Sequence, residues 1–122
     1  MAENHDTGTW GEETAMAFLR EKGLRILHCN WRFLHLELDI VAMDGEKLVI
    51  VEVKTRGSID FGDPQSFVSR AKQKKLIRAA NHYIQQNDFN GETRFDVVAI
   101  VKKNTKTDIL HIADAFRPVE LS

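Results

Sequence analysis

The chain alternates between two kinds of pattern. Ala15, Phe18 and Leu19 recur at helical spacing after Gly8, and Gly23 is a natural stop, so residues near Gly8 to Lys22 predict a first helix. Short apolar runs follow at Arg25–Phe33, Leu36–Met43 and Lys47–Lys54, each read as a strand. After a polar loop from Thr55 to Gly62, Asp63-Pro64 offers an N-cap and a first-turn proline for a second helix running to about Gln86. Leu76, Ala79, Ala80, Tyr83 and Ile84 form its apolar stripe. Arg94–Val101 predicts a fourth strand and Ile109–Ala113 a fifth. The order is α-β-β-β-α-β-β. Three consecutive strands suggest an antiparallel meander, and strand, helix, strand suggests a right-handed parallel crossover. The expected fold class is α/β, a mixed sheet flanked by helices.

Composition narrows the setting. A chain of 122 residues with 43% hydrophobic content suits one globular domain over residues 1–122. No apolar run has transmembrane length, and the start Met1-Ala2-Glu3-Asn4 lacks the features of a signal peptide, so no membrane partner is expected. Cys29 is the only cysteine, which fits a reducing cytoplasm. The net charge of −1 confines any nucleic-acid contact to a local patch.

The candidate chemistry lies in the second and third strands. Leu38-Asp39-Ile40-Val41-Ala42 and Leu48-Val49-Ile50-Val51-Glu52-Val53-Lys54 are apolar enough to be buried on both faces. Charges there are costly unless paired or bound to a metal. Asp44-Gly45-Glu46 looks like a hairpin turn. If Asp44 pairs with Lys47, Asp39 falls opposite Glu52, and a four-residue loop gives the same register; an Asp44-Gly45 loop moves Asp39 opposite Ile50. In two of these three registers Asp39, Glu52 and Lys54 converge on one face. One or two carboxylates with waters and substrate phosphates are what Mg²⁺ takes, and a lysine there stabilises developing phosphate charge. The competing reading is a buried structural ion pair. Glu37, two residues before Asp39, is expected on the same strand face and at an exposed edge.

The second helix carries Arg70, Lys72, Lys74, Lys75 and Arg78 with no acid among them. Most fall away from the Leu76 stripe, as a solvated face does. Lys72 is one turn before Leu76 on the same face and is expected to reach the site. With Arg56, these cations form a candidate phosphate-binding set. The five histidines show no metal-ligand spacing, and Trp10 and Trp31 read as packing residues.

These residues resemble a known pattern. Asp39 on the second strand and Glu52-Val53-Lys54 on the third resemble the PD-(D/E)xK, or restriction-endonuclease-like, superfamily. Many of its members, Holliday-junction resolvases included, add a first-helix glutamate, and Glu12 in Gly11-Glu12-Glu13 matches that place. A closer similarity is to the YraN-like family, through Gly8-x-x-Gly11-Glu12-x-x-Ala15, Glu37-Leu38-Asp39, Val51-Glu52-Val53-Lys54-Thr55-Arg56, Phe61-Gly62-Asp63-Pro64 and Lys72. It covers about Gly8 to Ile100. Each motif alone is weak; the ordered set is specific. Leu36 stands where that family has glycine, which puts the local backbone geometry there in question.

The resemblance implies a restriction-endonuclease-like fold and a Mg²⁺- or Mn²⁺-dependent endonuclease acting on DNA, with structure-specific recognition of the Holliday-junction-resolvase kind. It implies Asp39 and Glu52 as metal ligands, helped by the Val53 carbonyl and Glu12, with Lys54 stabilising the anion. RNA is an alternative substrate, and a homodimer would give paired cuts. Two rival readings are a non-catalytic nucleic-acid-binding module on the same fold and an interaction protein with an inherited carboxylate cluster.

Overall fold

A computed structural model describes residues 3–56 and 68–118, the first six of these as helix backbone only. The elements are α1 (Glu3–Glu21), β1 (Arg25–Phe33), β2 (Leu36–Asp44), β3 (Lys47–Arg56), α2 (Arg70–Gln86), β4 (Thr93–Lys103) and β5 (Lys106–Phe116). The element order matches the sequence expectation, and the fold is α/β. Five strands form one mixed sheet in the order β1-β2-β3-β4-β5. Neighbours are antiparallel except β3 and β4, whose parallel pairing follows the crossover through α2.

The core has two layers, one on each face of the sheet. Ala15 and Leu19 of α1 pack with Ile40, Val49, Val51, Val98 and Ile100. Leu76, Ala79, Ala80 and Tyr83 of α2 pack with Leu38, Val41, Ile50 and Val97. Burying one such aliphatic side chain is worth about 1.5–3 kcal/mol, so the strands that supply both faces anchor the sheet. Helix α1 ends as its glycine requires: Gly23 has φ 95°, and Leu24 N–H donates back to the Leu19 carbonyl at 3.0 Å.

One boundary differs from the sequence expectation. The second helix does not run unbroken from Asp63. Ser69 is extended (φ −65°, ψ 160°), and its hydroxyl accepts from Lys72 N–H at 3.2 Å, so Ser69 is the N-cap of α2. Both residues carry a capping side chain, and local sequence does not choose between them. Asp63-Pro64, with the rest of the expected loop beyond Arg56 and the Phe61-Gly62 motif, lies outside the described residues.

Leu36 causes no distortion of its own. It is buried in the α2-side core and pairs with Phe33 in the β1–β2 ladder. The left-handed turn residue is Leu34 (φ 56°), which is 81% exposed.

Candidate functional site: a carboxylate pair shared by β2 and β3

The β2–β3 hairpin sets the site. Gly45 (φ 63°) turns the chain, and Asp44 pairs with Lys47, the register that puts Asp39 and Glu52 in the same row. The ladder runs through Ile40↔Val51. Beyond it, the Asp39 carboxylate accepts the Val53 N–H at 2.9 Å. The side-chain alternation of β2 slips here. Leu36, Leu38 and Val41 face α2, whereas Ile40 and Ala42 face α1. Regular alternation would have put Leu38 and Ile40 on one side. The slip also cancels the expected sharing of a face by Glu37 and Asp39; Glu37 instead pairs with Arg32 at 3.7 Å.

Glu52 is buried, with 6% of its side chain exposed. Burial, then the adjacent Asp39 charge, pushes its carboxyl up to about 7, against the opposing pull of Lys72 and Lys54. Asp39 lies within hydrogen-bonding reach of it. Lys54 Nζ is 3.4 Å and Lys72 Nζ 3.8 Å from Glu52 Oε2. The α2 lysine therefore reaches the site from the face opposite α1. Arg56 is exposed at the end of β3, and Arg70, Lys74, Lys75 and Arg78 are exposed on α2.

Glu12 approaches from the other side of the sheet. Gly11 makes that approach possible, since a Cβ there would lie 2.7 Å from Thr55 Oγ1. Glu12 Oε1 accepts from Asn30 Nδ2 at 2.7 Å and from Cys29 Sγ at 3.6 Å. Burial raises its carboxyl above the ordinary value; the Asn30 bond opposes this and the Asp39 charge adds to it. Burial and the nearby Glu12 likewise push the Cys29 thiol up. So Asp39, Glu52, Lys54 and Lys72 are brought together, and Glu12 stands beside them without joining the pair. Among the described residues, no three His, Cys, Asp or Glu side chains are close enough to share one ion.

Sequence reasoning missed a second buried acid. Asp96 on β4 has no side-chain exposure; it takes two hydrogen bonds from Arg94 (2.9 and 3.0 Å), one from His111 Nε2 (2.8 Å) and one from Asp114 N–H (3.0 Å). Lys22 Nζ lies 3.0 Å from His111 Nδ1. A lysine can only donate, which leaves the His111 Nε2–H to donate to Asp96. Burial alone would raise the Asp96 carboxyl, but the His111, Arg94 and Asp114 bonds outweigh it and hold it below the usual range. The signal was legible: an aspartate inside an apolar strand, two residues after an arginine on the same face.

A groove of about 570 Å³ lies elsewhere, between Lys47, Arg94, Phe116 and Pro118. Its cations Lys47, Arg94 and Arg117 are already matched by Glu92, Asp44 and Asp114. It offers no unmatched charge to a ligand.

These features define an α/β protein with a cluster of two carboxylates and two lysines built around one buried acid, Glu52, at the end of a central strand. Residues 11–100 match the family described as Uncharacterised protein family UPF0102. The chain is 49% identical to a UPF0102 protein of Flavobacterium psychrophilum over 116 residues, covering 95% of this chain and 98% of that one. It is 44% identical to one of Christiangramia forsetii over 116 residues (95% and 98%) and 43% identical to one of Bacteroides thetaiotaomicron over 118 residues (97% and 98%). The chain belongs to the UPF0102 family, into which the YraN-like reading fits. Among the described residues, no helix is long and apolar enough to cross a membrane.

Proposed function

We propose that this protein is a Mg²⁺- or Mn²⁺-dependent endonuclease on the restriction-endonuclease-like plan, acting on DNA and selecting structure rather than sequence. The carrying observation is Glu52: a buried carboxylate set against a second acid, Asp39, with its ionised form left expensive. A divalent cation removes that expense, and two carboxylates suffice for magnesium, so the residues present fit the ion. Asp39 and Glu52 would hold it with the Val53 carbonyl, and Glu12, which stands apart from that pair, would join only by turning toward the ion.

When bound, the cation supplies charge to the scissile phosphate and acidifies a water. Lys54 offers its ammonium to the anion that develops on the phosphate. Lys72 belongs to the same cluster and would contact the substrate phosphate or the site carboxylates. Arg56, Arg70, Lys74, Lys75 and Arg78 give the backbone phosphates a sequence-independent surface. Cytoplasmic action as a homodimer fits the reading, since two such sites would give paired cuts.

One observation favours the second reading, a non-catalytic nucleic-acid-binding module: both lysines already lie within 4 Å of Glu52 and neutralise part of its charge. The deciding experiment is cleavage of labelled duplex, single strand, flap, four-way junction and RNA in Mg²⁺, Mn²⁺ or EDTA, with Asp39→Ala and Lys54→Ala alongside. The nuclease reading expects cleavage lost in EDTA and reduced by about a thousandfold or more in Asp39→Ala, the several kcal/mol that metal chemistry supplies. No cleavage of any substrate, with equal binding by wild type and variants, would leave the binding module.

A further inference from the structure

The backbone turns left-handed at Asn30, inside β1, and again at Leu34, just past its end, each with φ 56°. Asparagine bears that conformation well, and the Asn30 amide donates to Glu12 at 2.7 Å. Neither point explains Leu34. It is the first residue of a two-residue loop, since Phe33 pairs with Leu36. Loops of this kind that need positive φ there normally carry glycine, asparagine or aspartate. Leucine is strained in that place, and at 81% exposed it is also left in water; among the described residues it is the large apolar side chain so exposed. Stability favours another residue on both counts, so strain and exposure together point to a use.

The loop stands at the site end of the sheet. β2 runs antiparallel to β3, so its Leu36 end lies toward the end of β3 that carries Lys54 and Arg56. Five residues separate Leu34 from Asp39, about 17 Å of extended chain at most. The neighbouring Phe33 ring lies 6.3 Å from Trp31, nearly parallel at 12°, and 4.4 Å from His82 of α2. His82 shares a flank of α2 with the exposed Lys75 and Arg78, through steps of three and four residues. Lys72, one turn before Lys75, reaches Glu52. Cations thus run from the carboxylates toward the loop. Helix α2 has no acid, and Glu37 of the hairpin is paired with Arg32. An apolar tip beside a cationic flank complements a polyanion that also exposes an apolar face, which is DNA where its base stack is interrupted.

We propose that the Leu34 loop is a wedge that packs against an unpaired or terminal base of branched DNA, and that this contact gives the preference for structure. The proposal rests on the nuclease reading above and names what lets that site select its substrate. Phosphate contacts from α2 position DNA without distinguishing one sequence or base from another. An apolar side chain gains contact only where a base face is open, because entering an intact stack costs the unstacking of a step.

The test is binding of labelled four-way junction, flap and plain duplex, read by anisotropy, with 2-aminopurine at the branch point reporting unstacking. Ca²⁺ replaces Mg²⁺, so that an oxygen-seeking cation is present while cutting is slowed. Wild type is compared with Leu34→Asn and Arg78→Ala. Asparagine accepts positive φ, so Leu34→Asn keeps the turn, and a thermal midpoint equal to or above wild type confirms the fold. The expected result is that Leu34→Asn binds junction and flap about fivefold or more weakly, loses the 2-aminopurine signal and binds duplex as wild type does. Arg78→Ala should weaken all three alike. Junction binding unchanged in Leu34→Asn, or weakened as much for duplex, overturns the wedge and leaves the nuclease reading to its cleavage panel. Wild type that binds DNA without preferring branched forms overturns it too. A chain that binds none of the three and cuts none of them removes the nuclease reading and the wedge together. Sedimentation covers another occupant: a dimer dispersed by Leu34→Asn, with DNA binding unaltered, assigns the loop to a second copy of the chain and overturns the wedge.

Discussion

Glu52 and Asp96 are buried acids one residue out of register on adjacent parallel strands, since Val51 pairs with Asp96. They meet opposite fates. Asp96 faces α1 and is wrapped by four hydrogen bonds from Arg94, His111 and the Asp114 N–H, which keep it ionised. Glu52 faces α2, has a second acid for a neighbour and sees its cations only at 3.4 and 3.8 Å. Burial is similar, so partners decide the outcome. A satisfied buried acid stiffens a fold, while an under-satisfied one is where chemistry is expected.

The sharpest way to break this comparison is Asp96→Asn. It leaves Arg94 and His111 facing a neutral group, and the expected cost is about 3 kcal/mol in urea unfolding. A loss within about 0.5 kcal/mol, the range of an ordinary surface change, would mean that the network is not holding the sheet.

Glu52→Gln should act in the opposite direction. The folded value of Glu52 is raised from 4.5 to about 7. Between those values the folded state holds a proton that the unfolded chain has released, so this group makes stability fall as pH rises from about 4.5 to 7. Above pH 7 the full cost is present. Glu52→Gln should therefore stabilise the protein by about 3 kcal/mol at pH 8, with the gain vanishing near pH 4. Thermal unfolding across that range checks the sign, and a gain independent of pH would show that the carboxyl is not strained.

The smallest expected effect is that of Lys72→Ala. Lys72 is part-exposed, so its stability cost should stay under about 1 kcal/mol. Its removal should nonetheless move the pH midpoint of the Glu52→Gln difference upward, because Lys72 favours the charged carboxylate. A midpoint unmoved or moved downward would sever the electrostatic link between α2 and the site.

The sequence made the strand order and the hairpin register legible, because Asp44 and Lys47 bracket a glycine turn and the apolar runs are long. It also brought Asp39, Glu52 and Lys54 into one neighbourhood. The kinks at Asn30 and Asp39 were not legible, since they arise where three strands and α1 meet rather than from local preference. Asp96 lies within an apolar run just as Glu52 does, so the cost of burying a charge marks it equally. Its partners His111 and Asp114 come from another strand, and no local spacing marks them.

The two kinked edges have a consequence for how copies of the chain meet. β1 and β5 are the outer strands, and each contains a left-handed residue, Asn30 in one and Asp114 in the other. Register shifts accompany them, between Ile26 and His28 and opposite Phe95 to Val97. A flat outer strand is a template for pairing with a neighbour's backbone, and bends of this kind spoil the template. The same residues that serve Glu12 and Asp96, Asn30 through its amide and Asp114 through its backbone N–H, thus interrupt the two outer strands along which aggregates could grow.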